Sequence, residues 1–402
     1  MVKFWKKLDK YKVDPSLASD LLNKSKEEVE KMLPINILLV GKTGSGKSTL
    51  VNALFREKVA NTGVGMPITQ NIQKITKEGV PLTLYDTKGL ELNATAQKEV
   101  MNSLLNLIHQ QKQKGLKEEI HLIYYCINAN MARIEAQEIA LINALSKKVP
   151  VLVVLTQSIG HEVGLFAKYI GEKLPQVKRV LPILAKDFPL SQGNVINAYG
   201  LNEIIEVSLS VLPKEVQKAF INAQQVDLNL KIQKARSWAH KYITSAFGVG
   251  FSPLPIADAA ILVPMQITML AHITSIFGLS LDYAQIVSII AGIGGTGTAT
   301  MLGKYMATSV LKWIPGVGSV GSGIISGTTA STLTMTLAYA YIEVLCKIME
   351  AEIQGKELPI KELQKFMNAS FTDHLALYQE QLGDKHNVIS DWFDYFLKKR
   401  KR

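Results

Sequence analysis

The sequence predicts a doubly wound α/β domain followed by a mainly α-helical, hydrophobic half. Three observations carry this reading. The apolar run Ile35–Val40 leads into a glycine loop and then a helix-compatible run at 50–55. Apolar runs of strand length then alternate with helical stretches as far as residue 212. Between residues 244 and 342 there are only four formal charges, Asp258, Asp282, Lys304 and Lys312, where ordinary globular chains carry ~25% charged residues.

A chain of 402 residues that is 47% hydrophobic has room for two or three domains with a sizeable core. Its net charge of +11 suits anionic partners, which include nucleotides, acidic lipid and RNA, without choosing among them. Two cysteines, Cys126 and Cys346, exclude a disulfide framework and a cysteine metal site and fit a reducing cytosolic compartment. The basic start around Lys3, Lys6 and Lys7 lacks the following apolar stretch of ~7–15 residues that a secretory signal needs.

In chain order, residues 1–34 place Leu17, Leu21, Leu22, Val29 and Leu33 at helical spacing and read as an amphipathic helical lead-in ending at Pro34. The strand at 35–40 opens onto Gly41-Lys42-Thr43-Gly44-Ser45-Gly46-Lys47-Ser48-Thr49. The spacing Gly-x-x-x-x-Gly-Lys-Ser lets bare backbone wrap phosphates with its N–H groups, at the positive end of the next helix. Lys47 is expected to reach the outer phosphates, and Ser48 to ligate magnesium.

Periodicity assigns residues 61–70 to no element, and such polar, glycine-bearing loops are where nucleotide-sensing segments sit. A threonine there can meet the metal and sense the outermost phosphate; Thr69 is the chosen candidate and Thr62 the competitor. Residues 81–86 form a second apolar strand ending in Asp86, followed by Thr87, Lys88 and Gly89. An aspartate at a strand's carboxyl end can hold magnesium through water, and the Gly89 amide can contact the third phosphate. Leu90 stands where Ras-like enzymes carry a glutamine that orients the attacking water, so slow intrinsic hydrolysis is expected.

Residues 94–114 then read as a helix and 120–127 as a buried strand holding Cys126. His121 reads as a strand-edge histidine more than a ligand, and Arg133 as a surface arginine, the alternative being an anionic contact on the nucleotide side of the sheet. A helix at 136–146, an almost fully apolar strand at 150–155, a short strand at 180–184 and a helix at 201–212 complete the alternation of a sheet covered on both faces.

With the loop, the aspartate and the two late loops in register, residues 35–212 resemble the Era/HSR1-like GTPases, relatives of translation factors. The resemblance implies a P-loop GTPase domain that uses GTP/GDP and Mg2+. It makes Gly41 to Ser48 the first motif, Thr69 the second, and Asp86 to Gly89 the third. Thr156 and Gln157 stand where the family carries Asn/Thr-Lys-x-Asp, and Ala185 and Lys186 where it carries Ser-Ala-Lys. It also implies catalytic roles for Lys47, Thr69 and Gly89, metal contacts from Ser48, Thr69 and Asp86, and base contacts from Thr156, Gln157, Ala185 and Lys186. Ile159 replaces the aspartate that pairs with guanine, so the family implies guanine preference but these residues do not secure it.

The second half begins near residue 213. A long connecting helix is expected at 219–240, a hydrophobic helical domain over 213–350, and an amphipathic helical and basic tail over 351–402. Residues 259–281 have the length to span a bilayer but are interrupted by Pro264 and carry Gln266 and His272. Small residues such as Gly323, Gly327, Ala330 and Ser331 suit close helix packing in lipid or in protein. With the nucleotide domain, this half resembles bacterial GTPases fused to a glycine-rich helical domain of an uncharacterised membrane-protein family.

The end places Trp392, Phe393, Tyr395 and Phe396 beside five successive cations from Lys398 to Arg402, which fits an anchor on acidic lipid or equally a disordered solubilising tail, with RNA contact third. The expected function is a nucleotide switch at the cytoplasmic side of a membrane. The alternative is a soluble GTPase that binds RNA or the ribosome through its basic surface. Homodimerisation through the nucleotide domain is a further expectation.

Overall fold

The computed structural model describes residues 15–56, 64–69, 72–87, 96–190, 193–249, 257–293 and 327–382. It divides into two compact units, residues 29–231 and residues 1–28 with 232–402.

The nucleotide unit is a seven-stranded sheet of order β2-β3-β4-β1-β5-β6-β7. Its strands are β1 (Ile35–Val40), β2 (Val64–Thr69), β3 (Ile72–Lys77), β4 (Val80–Thr87), β5 (Leu122–Asn128), β6 (Val151–Thr156) and β7 (Arg179–Pro182). From β4 to β7 all pairings are parallel, while β2 and β3 add on antiparallel at one edge. Strands β1 and β6 are buried along their whole length, as expected of strands covered on both faces.

Helices cover both faces. The chain's first described helix is α1 (Pro15–Glu30), and the nucleotide unit adds α2 (Lys47–Leu54), α3 (Ala96–Gln113), α4 (Ala136–Ser146), α5 (Val163–Lys173), α6 (Leu201–Val211) and α7 (Lys214–Ala223). One core joins Leu39, Leu84 and Val154 to Leu50 of α2, Ile204 of α6 and Phe220 of α7. The other joins Val40, Tyr125 and Leu155 to Leu104 of α3, Leu141 of α4 and Ile170 of α5. A two-stranded hairpin, β8 (Phe188–Pro189) with β9 (Val195–Ile196), follows β7.

Three expectations change here. Residues 64–69 are an edge strand instead of a loop, and β3 beside it had no sequence signal. Met66 and Ile68 of β2 are exposed, so an edge half in water lacks the apolar alternation that marks a strand. The expected helix at 219–240 is two helices, α7 and α8 (Leu228–Val249), because Asp227 caps the second: its Oδ1 accepts from Leu230 N at 2.8 Å. Helix α7 belongs to the nucleotide unit, where Phe220 meets Phe55 edge-on at 6.0 Å, so this unit extends past residue 212 to 231.

The helical unit comprises α8, α9 (Ala257–Phe277), α10 (Tyr283–Ile293), α11 (Gly327–Ile353) and α12 (Ile360–Leu382), together with α1 as far as Glu28. Helix α1 buries Ala18, Leu21 and Ser25, one stripe at helical spacing. Lys24 Nζ donates to Thr268 Oγ1 at 2.8 Å, and Glu28 meets His272 Nε2 at 2.8 Å. Trp238 of α8 stacks on that histidine with ring centroids 4.7 Å apart. The lead-in helix thus belongs with the chain's second half.

Helix α12 also packs in this unit and is no separate tail. Asn368 Nδ2 donates to Gly292 O at 3.0 Å, and a Cβ on Gly292 would lie 2.6 Å from Gln364 O. Pro264 lies inside α9 and does not interrupt it: the helix runs over 21 residues and ends at Phe277, where Gly278 takes φ 72°. Among the described residues, only Ser331–Ile353 is long and apolar enough to cross a membrane, and 83% of its apolar window is buried inside the protein. Two of its hydroxyls meet polar partners on α9: Gln266 donates to Thr334 at 3.0 Å, and Thr274 meets Tyr341 at 2.6 Å. Gly323 and the aromatic and basic end lie outside the described residues, as do Thr62, Gly89 and Leu90.

Candidate functional site

The site lies at the carboxyl ends of the parallel strands, where an open α/β sheet binds its ligands. The loop after β1 makes a tight turn. Ser45 N donates to Lys42 O at 3.1 Å, and Gly46, with φ 78°, caps α2. Only glycine fits at position 41, because a Cβ there would lie 2.4 Å from Cys126 O and 2.6 Å from Ser45 Oγ. Gly44, Thr43, Ser48 and Thr49 face solvent at the mouth of the loop; Ser48 and Thr49 lie in the first turn of α2, whose free N–H groups favour an anion.

Lys47 arches back over the loop. Its Nζ donates to Gly41 O at 2.8 Å and to Lys42 O at 3.2 Å. Asp86 stands across from it on β4, in register with Leu39 of β1. Burial raises the pKa of Asp86 above its ordinary value, and the Lys47 ammonium pulls it back down. Its Oδ1 is buried without a hydrogen-bond partner. A buried, unpaired carboxylate oxygen beside a lysine and a helix N-terminus suits a hard cation that keeps its water, which is the chemistry of Mg2+. The fit is good, with Asp86 and Ser48 as the residues to hold it. Thr69 ends β2, and its side chain lies outside the description, as does Gly89.

The late loops are tied to the first. Thr156, at the end of β6, donates to Ser45 O at 2.7 Å and to Ile127 O at 3.2 Å, and its side chain walls off Gly46. Gln157 takes a left-handed backbone, φ 52°, and is exposed; Asn128 Nδ2 donates to its Oε1 at 3.4 Å. Ser158 N donates to Ile183 O at 3.0 Å, and Tyr199 OH to Ser158 O at 2.8 Å. Tyr199 also pairs through its backbone with Leu184, just before Ala185 and the exposed Lys186. The structure therefore brings the 156–159 and 184–187 loops together on one side of the phosphate loop.

Two features escaped the sequence. Lys42 reaches Glu135 at 2.7 Å and Glu138 at 3.2 Å, at the start of α4. Partial burial works against the Lys42 ammonium, but the two carboxylates outweigh it and raise its pKa, while Lys42 lowers that of Glu135. His121 is buried; its Nδ1 accepts from Asn36 N at 3.1 Å, so Nε2 carries the proton and donates to Leu116 O at 3.2 Å. Burial lowers its pKa, and both ring nitrogens are engaged by the backbone. Arg133 is exposed in the loop before α4.

Loop, lysine, aspartate and strand order define a P-loop nucleotide-binding domain of the GTPase type. Residues 36–157 match the family model described as 50S ribosome-binding GTPase, and residues 216–370 match one described as a domain of unknown function. The tRNA modification GTPase MnmE of Ureaplasma parvum is 27% identical over 177 residues, 42% of this chain and 38% of that protein. Human Septin-12 is 35% identical over 114 residues, 25% of this chain and 31% of that protein. The chain thus spans well under half the length of these curated relatives. Among solved structures, a probable GTP-binding protein engB aligns over 44% of this chain and 97% of that one, at 18% identity and a TM-score of 0.32. The strand order and the match over residues 36–157 define the fold.

Proposed function

We propose that the protein is a GTP-binding switch, with slow intrinsic hydrolysis, that works at the cytoplasmic face of a membrane. The observation that carries the nucleotide part is the phosphate loop closed by Lys47 opposite the unpaired carboxylate oxygen of Asp86. Lys47 would turn from Gly41 O and Lys42 O to the outer phosphates and stabilise charge as the terminal phosphoryl group is transferred to water. Mg2+, held by Ser48 and Asp86, would neutralise the phosphates. Thr69 and Gly89 are assigned to sensing the terminal phosphate, and Gln157, Ala185 and Lys186 to the base. Leu90 at the water-orienting position supports slow turnover until a partner, or a second copy joined through the nucleotide unit, supplies what is missing.

Support for the membrane comes from the aromatic and basic end of the sequence, where each cation near acidic lipid contributes roughly 1 kcal/mol. Burial of the apolar helices against one another favours docking on lipid over crossing it. Titration with GTP, GDP and ATP tests the nucleotide part, with loss of binding expected in Lys47→Ala. Flotation with acidic vesicles, with and without GTP, tests the membrane part. The RNA reading is supported by the net charge of +11 and by the names of its relatives; salt-sensitive RNA binding without flotation would replace the membrane reading with it.

A further inference from the structure

Glu138 is 4% exposed, and burying a carboxylate costs several kcal/mol unless its partners repay it. Its place in α4 does not require the charge. It closes a capping box by accepting from Glu135 N at 3.2 Å, a task glutamine performs equally well. Its other partners are Tyr125 OH at 3.5 Å, from the middle of the sheet, and Lys42 Nζ at 3.2 Å, from the phosphate loop. Lys42 is the residue whose carbonyl accepts from both Ser45 N and Lys47 Nζ. A chain of contacts therefore runs from the buried Tyr125 through Glu138 and Lys42 to the lysine that meets the phosphates.

We propose that Glu138 is a positioning residue of the phosphate loop: acting through Lys42, it fixes the carbonyl that aims Lys47 and keeps the Lys42 ammonium turned toward α4. This rests on the nucleotide-binding reading above. Glu135 also meets Lys42, but it is much more exposed, and an ion pair in water holds geometry weakly. The buried partner sets the position.

The test uses the full chain as wild type, Glu138→Gln, Lys42→Met and the double variant. Glu138→Gln keeps the size and the cap acceptor and removes only the charge. Magnesium-GTP affinity is expected to fall about tenfold in each single variant and no further in the double, because both cut one link. Wild-type affinity in Glu138→Gln, or a hundredfold loss in the double, overturns the proposal. Amide hydrogen exchange at residues 42–46 without nucleotide supplies a readout that GTP binding does not control. About tenfold faster exchange is expected in Glu138→Gln and in Lys42→Met, and unchanged exchange overturns the proposal. If wild type binds no GTP while these amides still respond, the nucleotide reading fails and the positioning contact stands.

Discussion

The Thr156 hydroxyl donates to the carbonyl of Ser45 at 2.7 Å, joining the end of β6 to the phosphate loop across 111 positions of sequence. The same hydroxyl lies 3.2 Å from Ile127 O, and Thr156 is buried, so one side chain holds three segments at the site's floor. Thr156→Val keeps the shape and removes the bond to Ser45 O, at a cost of about 1–3 kcal/mol. Calorimetry is expected to show lower thermal stability and roughly tenfold weaker GTP binding, with Thr156→Ser close to wild type.

Gly41→Ala puts a methyl group 2.4 Å from Cys126 O and 2.6 Å from Ser45 Oγ. The Cys126 carbonyl is held in the sheet and cannot yield, so the loop must open. Isothermal titration is expected to detect no nucleotide binding, while circular dichroism retains the helical signal.

Asp86→Asn separates metal affinity from folding. Burial already disfavours the Asp86 charge, so its neutralisation should leave the melting temperature equal or higher. The magnesium enhancement of GTP affinity should vanish, leaving the affinity seen in chelator. In wild type that enhancement should fade on acidification at a pH above the ordinary carboxylate value of 3.8, because the folded pKa is raised.

His121 makes stability pH-dependent. Burial opposes the charge and holds its folded pKa below the ordinary 6.5, and protonation of Nδ1 would cost the bond it accepts from Asn36 N. Between the folded and unfolded values the unfolded chain binds more protons, so the contribution is whole above pH 6.5 and lost as pH falls toward the folded value. Chemical denaturation at pH 7.5 and pH 5.5 should show this slope in wild type and a shallower one in His121→Gln.

Ile159→Asp restores a donor-reading carboxylate on the loop that Ser158 and Tyr199 hold. Discrimination of GTP over ATP should increase by tenfold or more, measured as the ratio of dissociation constants. An unchanged ratio would place base recognition elsewhere, on the 184–187 loop.

Legibility followed burial and glycine. Strand β1, the loop and α4 stood out because an unbroken apolar run, obligatory glycines and helical spacing are properties of neighbouring residues. Strands β2 and β3 did not, since a sheet edge leaves Met66 and Ile68 in water and buries only every third residue of β3. The late loops could be located, but not the tie from Thr156 to Ser45 or the reach of Lys42 to Glu138. Those are meetings of distant segments that no local spacing encodes. The break at residues 224–227 came from one aspartate cap overriding continuous helix propensity.

Helix α1 precedes the nucleotide unit in sequence yet holds to α8 and α9 through Glu28, His272 and Trp238. In engineering terms, residues 29–231 form a cassette inserted into the sequence of a host that comprises residues 1–28 and 232–402. A cut at 212 would leave α1 without its host and the cassette without α7. Excision at 28 and 232, with a short linker in its place, is the cut that respects both bodies.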